Sequence, residues 1–202
     1  MATHPIMGLG LFIFAHDEWK KLYAENCAKY SMVGYANVPV GFVFSTMGIV
    51  CELMYIPFMI VMCRQEFMQH SCYKLMFILG IIDMVTLPFN AIITGFQAMN
   101  GLHYCTNPAF FYVVSCIATA GWFGATMTCC VIAIDRLLSF IYPSLCAKIF
   151  SDKMMRLWIL VPLAYWIFIM FYNIPGIYNV NSHALYNDPW YGKKDLEGNP
   201  EV

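Results

Sequence analysis

Four stretches of the chain are long and apolar enough to cross a lipid bilayer, which requires about 20 predominantly apolar residues. They occupy residues 41–62, 75–96, 109–134 and 157–177. The first two contain one carboxyl each, Glu52 and Asp83, and the last two contain no Asp, Glu, Lys or Arg. A long run without charge lacks the polar outer face of a helix in a soluble core. The sequence therefore predicts an all-α fold, an integral membrane bundle of four helices.

The composition excludes several classes of protein. Only 11% of the residues are charged and 60% are hydrophobic, whereas a soluble domain has about 25% charged residues. The Lys and Arg side chains are scattered and form no basic stripe, so we expect no nucleic-acid partner. None of the nine cysteines has zinc-ligand spacing, and nucleotide-binding and hydrolase motifs are missing from the sequence. We therefore expect no metal site, no cofactor and no enzyme activity.

The positions of Lys and Arg predict the orientation in the membrane. The turns after the first and third stretches contain Lys and Arg, whereas residues 97–108 contain none. The positive-inside rule places those two turns in the cytoplasm. Residues 1–40 then form an extracellular N-terminal segment, in which the apolar residues 5–15 are either a leader or the core of a signal peptide. Residues 178–202 form an extracellular polar tail. We therefore expect a multi-pass protein of the plasma membrane.

Polar residues of the second stretch repeat at steps of three and four, which places them on one helical face. They are Asp83, Thr86, Asn90, Thr94 and Gln97. An ionised Asp at the centre of a spanning helix costs about 2.5–3.5 kcal/mol, so this face should look into the bundle or a hydrated cavity. We expect Asp83, Asn90 and Glu52 to form an intramembrane polar site. The alternative is that the carboxyls are protonated and only pack.

Small residues repeat every four positions in the third stretch, which lets neighbouring helices approach closely in lipid. We therefore expect this helix to be the central one. Its polar residues also recur at steps of three and four, and two of them, Thr119 and Trp122, are candidates for lining a ligand pocket. A tryptophan that simply packs is the alternative.

Asp135 and Arg136 stand side by side where the third stretch ends. Adjacent residues on a helix point to different faces, so these two do not pair with each other. The run AIDRLLSFIYP at 133–143 resembles the Asp-Arg-Tyr signature that ends the third helix of G-protein-coupled receptors, with Leu137 in the Tyr position. Other segments resemble the nematode chemoreceptor family called serpentine receptor class T. They are LMYIP at 53–57, SCYKLM at 71–76, GIID at 80–83, TG at 94–95, and YC at 104–105 followed by Pro108.

The resemblance implies a seven-helix receptor that binds a small chemical cue and engages a heterotrimeric G protein. Asp135 and Arg136 would then be the G-protein coupling switch, and Asp83 the acid of the second helix in the receptor interior. Members of the family often carry Asn where this chain has Asp135. Many such receptors tie the outer end of the third helix to the second extracellular loop by a disulfide. This chain departs from that pattern, because it has no Cys after Cys146. The other outer cysteine is Cys27, so either a Cys27–Cys105 bridge or a free Cys105 is expected.

Only four of the seven helices are expected in these 202 residues. The chain is thus expected to be a truncated or partial chemosensory receptor that does not couple to a G protein alone, and the G protein would be a partner only of the full receptor. Two alternatives are a four-helix membrane scaffold or accessory protein, and a small ion- or proton-coupled transporter subunit that uses Asp83, Asn90 and Glu52.

Overall fold

The computed structural model of the chain describes residues 7–25, 27 and 33–188. The remaining parts of the predicted N-terminal segment and polar tail, residues 1–6, 26, 28–32 and 189–202, lie outside the described residues. Two short helices come first, α1 (Gly8–Phe14) and α2 (His16–Trp19), followed by a π-helical turn, Lys20–Ala24. The four helices that are long and apolar enough to cross a membrane are α3 (Val38–Met62), α5 (Ser71–Asn100), α6 (Pro108–Ile141) and α8 (Asp152–Tyr172).

Short elements connect these spanning helices. Helix α4 (Gln65–Met68) lies between α3 and α5, a 3₁₀ turn (Tyr104–Thr106) precedes α6, and α7 (Pro143–Ile149) lies between α6 and α8. After α8 the strands β1 (Ile177–Asn179) and β2 (Ala184–Tyr186) pair antiparallel, with Tyr178 opposite Leu185. We call the end of the bundle with this hairpin the hairpin end, and the opposite end the Arg136 end.

The helix ends differ from the predicted boundaries for local reasons. Helix α6 continues past residue 134 to Ile141, because Asp135 is hydrogen-bonded to Ser71 within the bundle and Arg136 is exposed, so neither charged side chain ends the helix. Helix α8 ends at Tyr172 rather than at 177, and Asn173 has the extended dihedrals φ −93° and ψ 150°. Pro175 disfavours the helical conformation of Ile174, the residue before it, so the helix ends before that position. Residue 177, the predicted end of the fourth span, is instead the first residue of β1. The hairpin was not predicted from the sequence.

Helix α6 is the central helix, as its small residues predicted. In an apolar stretch of 18 residues of this helix, 33% is buried. The corresponding share is 6–17% in the other three spanning helices. It packs against α5 on one side and α8 on the other. At the α5 contact a Cβ atom on Gly121 would overlap the side chain of Thr86. The missing side chain at Gly121 therefore sets how closely the two helices approach.

A π-helical turn, Pro88–Ile93, interrupts α5. Pro88 has no N–H to donate to the preceding turn, and its ring crowds that turn, so the helix widens here. The hydroxyl of Thr94 donates to the carbonyl oxygen of Phe89 at 3.2 Å and so satisfies an acceptor of the widened turn. The turn contains Asn90, one of the predicted site residues.

The described part of the N-terminal segment packs onto the hairpin end of the bundle. Helix α1 lies against α8, its Leu11 is fully buried, and the hydroxyl of Tyr112 on α6 donates to the carbonyl oxygen of Gly8 at 3.0 Å. Burial raises the pKa of Tyr23 to about 12. A disulfide joins Cys27 to Cys105, so the segment is held covalently to the turn before α6.

Candidate functional site

A cavity of about 830 Å³ lies between α3, α5 and α6. Three residues after α8, namely Gly176, Leu185 and Asn187, line it toward the hairpin end. Ligand sites in proteins typically measure about 300–1,000 Å³ and are mostly apolar with a few polar groups. The size and position of this cavity, which we call the central cavity, are those of a site for a small molecule.

Asp83 lines the central cavity from α5. The hydroxyl of Tyr55 on α3 donates to its Oδ2 atom at 2.6 Å. A carboxyl group in the middle of a membrane-spanning helix needs a hydrogen-bond partner from the protein, because the lipid hydrocarbon provides no hydrogen-bonding groups. Tyr55 was not among the predicted site residues. The signal that could have identified it is its spacing of four from Cys51, which puts both residues on the α3 face that lines the cavity.

The other predicted cavity residues also lie in its wall. Asn90 donates from Nδ2 to the carbonyl oxygen of Ala118 on α6 at 3.4 Å. The backbone N–H of Gly176 donates to the hydroxyl oxygen of Thr119 at 2.8 Å and so attaches the start of the hairpin to α6. The Trp122 side chain lines the cavity and is 72% exposed in the four-helix bundle, so it lines an open wall and is not a packed core residue.

Glu52 does not share this site among the described residues. It is not part of the cavity lining, and its buried Oε1 has no hydrogen-bond partner within the described part of the chain. The rotation of α3 about its axis explains the difference from the prediction. Tyr55, three positions further on, faces Asp83, and three positions on a helix turn the side chain about 60° away from that of Glu52. The structure therefore groups Asp83 and Asn90 with Thr119 and Trp122, and it separates Glu52 from them.

The hairpin that lines one end of the cavity is fixed to the start of α3. The imidazole of His183 lies between Asn37, whose Nδ2 is 3.0 Å from Nε2, and Tyr178, whose hydroxyl is 2.9 Å from Nδ1. Asn37 also caps α3, because its Oδ1 accepts a hydrogen bond from the backbone N–H of Val40. This bond fixes the orientation of the side-chain amide, and the Nδ2 group points to the imidazole. Burial raises the pKa of Tyr178 to about 12, and the phenol stays neutral. Sequence spacing gives no signal for this contact, because 146 positions separate its partners.

Asp135, at the Arg136 end, is buried, with 1% of its surface exposed. The hydroxyl of Ser71 at the start of α5 donates to its Oδ1 at 2.7 Å, and the thiol of Cys146 on α7 lies 3.8 Å from the same atom. Asp135 therefore joins the ends of three helices. A second contact at this end is the ion pair between Lys74 and Asp152, at 2.8 Å, which connects α5 to α8.

Arg136 has the opposite environment. Its side chain is exposed, and no carboxylate of the described residues lies within ion-pair distance of it. It lines a second cavity of about 550 Å³ together with Ser71, Cys72 and Ser139. The structure thus presents a guanidinium group in an open polar cavity, where a partner that offers backbone carbonyls or carboxylates can bind it.

A comparison with protein families identifies a relationship over nearly the whole chain. The family model described as "Serpentine type 7TM GPCR chemoreceptor Srt" matches residues 12–198. The matched region contains the four spanning helices, both cavities, and the cysteines of the disulfide. No curated protein matches the chain. No solved structure matches it either.

Proposed function

The chain belongs to the serpentine type 7TM GPCR chemoreceptor Srt family, and on that premise we propose that it is a chemosensory receptor of the plasma membrane whose central cavity binds a small molecule. The observation that carries the proposal is the central cavity itself. It has the volume of a ligand site, and its wall contains Asp83, Asn90, Thr119 and Trp122 on two adjacent helices.

The charge distribution supports an orientation with the N-terminus outside. Arg64 and Lys74 lie near the turn between α3 and α5, and four further basic residues lie from the last turns of α6 to the first turns of α8. They are Arg136, Lys148, Lys153 and Arg156. No Lys or Arg lies in residues 97–108 or in the hairpin. The positive-inside rule therefore puts the Arg136 end in the cytoplasm and the hairpin, with the N-terminal segment, outside.

The partner that we propose for the cytoplasmic end of the full seven-helix receptor is a heterotrimeric G protein. Arg136 is exposed there in a polar cavity, while its neighbour Asp135 is held by Ser71 and is not free to pair with it. Arg136 contacts the thiol of Cys72 on α5 and has no carboxylate partner among the described residues, so its guanidinium group can also donate to an external partner.

The experiment measures occupancy of the central cavity through Cys51, a free cysteine in its wall. The 202-residue chain in lipid nanodiscs is treated with a small thiol reagent, in the presence of low-molecular-weight alcohols, ketones, amines and carboxylic acids in turn. Modification is quantified at each cysteine by mass spectrometry. We expect at least one compound to slow the modification of Cys51, because a bound molecule blocks access to the thiol.

Cys63 is the internal control, because it is exposed at the end of α3 and does not line the cavity. A genuine ligand slows the reaction of Cys51 and leaves that of Cys63 unchanged. The variant Ala125→Phe puts a large side chain into the cavity wall and should remove the effect of the ligand. If no compound protects Cys51, or if Cys51 and Cys63 are always protected together, the proposal is wrong.

A further inference from the structure

The described wall of the central cavity contains an acidic side chain but no basic one. Among the described residues that line it, Asp83 is the only Asp or Glu, and none is Lys, Arg or His. An ionised Asp83 therefore gives the cavity a net negative charge that no side chain in the wall cancels. At this depth water screens charges poorly, so the missing countercharge matters more than it would at the protein surface.

The wall also has more hydrogen-bond acceptors than donors to match them among the described residues. Tyr55 donates to Oδ2 of Asp83, and no second side chain of the described residues donates to this carboxylate. Asn90 uses its Nδ2 for the carbonyl oxygen of Ala118, and no described group donates to its Oδ1. Thr86 directs its hydroxyl to the carbonyl oxygen of Ile82. Two acceptor oxygens on one face of α5, Oδ1 of Asp83 and Oδ1 of Asn90, thus have no donor from the described part of the protein.

The rest of the wall is apolar or aromatic. Leu87 and Ala125 line the cavity beside the polar face of α5, Leu185 lines it from the hairpin, and the exposed indole of Trp122 lines it from α6. An indole face attracts a cation within about 6 Å of the ring centre. The wall therefore suits a molecule with an apolar body and one positively charged group that donates hydrogen bonds.

We propose that the central cavity binds a protonated organic amine. Its ammonium group donates to Asp83 and Asn90, and its apolar body lies against Trp122 and Leu185. A neutral molecule of the same shape leaves the carboxylate without a countercharge, and a carboxylate ligand is repelled by it. This inference rests on the proposed function, because it names the chemical class of the small molecule that the receptor cavity binds.

The test compares three probes that share one aromatic body. They are 2-phenylethylamine, which is protonated at neutral pH, the neutral 2-phenylethanol, and the anion phenylacetate. Each is titrated against the rate of Cys51 modification in the 202-residue chain in nanodiscs. We expect the amine to protect Cys51 at a concentration about tenfold or more lower than the alcohol, because its hydrogen bond to a carboxylate is charge-assisted. We expect no protection by phenylacetate.

Asp83→Asn and Glu52→Gln are the matched variants. Both neutralise an intramembrane carboxyl, but only Asp83 lines the cavity. Asn keeps an oxygen that accepts the hydroxyl of Tyr55, so Asp83→Asn should preserve the fold and abolish the preference for the amine over the alcohol. Glu52→Gln should keep that preference. If Asp83→Asn does not fold, the comparison of the three probes on the unsubstituted chain still decides.

The outcomes separate this inference from the proposed function. Protection by the alcohol as strong as that by the amine, or an amine preference that survives Asp83→Asn, overturns the amine proposal and leaves the receptor cavity in place. The same holds if the three probes fail and only an alcohol, ketone or carboxylic acid of the wider panel protects Cys51 selectively. If no compound of any class protects Cys51, both proposals are wrong.

Discussion

Asp135 and Arg136 are adjacent in sequence but have opposite roles in the structure. Successive residues of a helix are about 100° apart around its axis, so the carboxyl group points into the bundle while the guanidinium group points out of it. The carboxyl group accepts a hydrogen bond from Ser71 and is buried. Arg136 is exposed and makes no ion pair within the described residues. We infer that the first residue holds helices together and the second serves an external partner.

Substitutions at this end should separate stability from partner binding. Ser71→Ala removes the donor to Asp135 and leaves a buried carboxyl oxygen without it, so the free energy of unfolding should fall by about 1–3 kcal/mol. Arg136→Ala removes an exposed side chain and should change it by less than about 0.5 kcal/mol. Both are measured by denaturant unfolding in detergent, with the exposed Ser182→Ala as the control for a serine. Equal losses for Ser71→Ala and Arg136→Ala would contradict the assignment.

At the scale of the elements, helical periodicity was enough to predict the polar face of α5. The steps of three and four placed Asp83, Thr86 and Asn90 on one side of this helix, and that side lines the central cavity. The rotation of α3 was not predictable in the same way. Apolar residues surround its axis and no single polar face stands out, so only the packing against α5 decides that Tyr55 rather than Glu52 faces Asp83.

The hairpin was not predictable for a different reason. Each strand has three residues, too few for an alternating pattern to stand out, and the side chains that fix the hairpin belong to Asn37 and Thr119, far away in sequence. Short strands held by non-local contacts leave no local signature. The spanning helices, in contrast, are specified by the apolar character of each segment alone.

The contact between α5 and α6 should depend on one glycine. Gly121→Ala places a methyl group on the side chain of Thr86, and such overpacking should lower the free energy of unfolding by about 1–3 kcal/mol. Gly121 and Gly176 both line the central cavity. At Gly176, however, a methyl group would lie 3.5 Å from its nearest neighbours, which is an ordinary van der Waals contact. Gly176→Ala should therefore change stability by less than about 0.5 kcal/mol. Thermal unfolding of both variants in one detergent is the measurement, and a tolerated Gly121→Ala would show that the helices can separate without loss.

At the scale of the whole molecule, the two ends of the bundle are built differently. The hairpin end is covered by the N-terminal segment, which is held by the Cys27–Cys105 disulfide, and by the hairpin. The Arg136 end has short connecting helices and a cavity with an exposed guanidinium group. A disulfide persists in an oxidising compartment. This fits a hairpin end that faces the exterior, in agreement with the distribution of Lys and Arg.

The orientation is tested by labelling with a membrane-impermeant maleimide on intact and permeabilised cells. Cys63 is exposed beside the turn between α3 and α5, so we expect its modification only after permeabilisation. Ser182→Cys adds a thiol at an exposed position of the hairpin turn, and we expect its modification in intact cells. Mass spectrometry of the labelled peptides identifies each site, and Cys63→Ser confirms the identity of the first signal. Labelling of Cys63 in intact cells together with protection of Ser182→Cys would invert the topology. The hairpin side of the central cavity would then face the cytoplasm, and an extracellular chemical cue would have no direct access to Asp83.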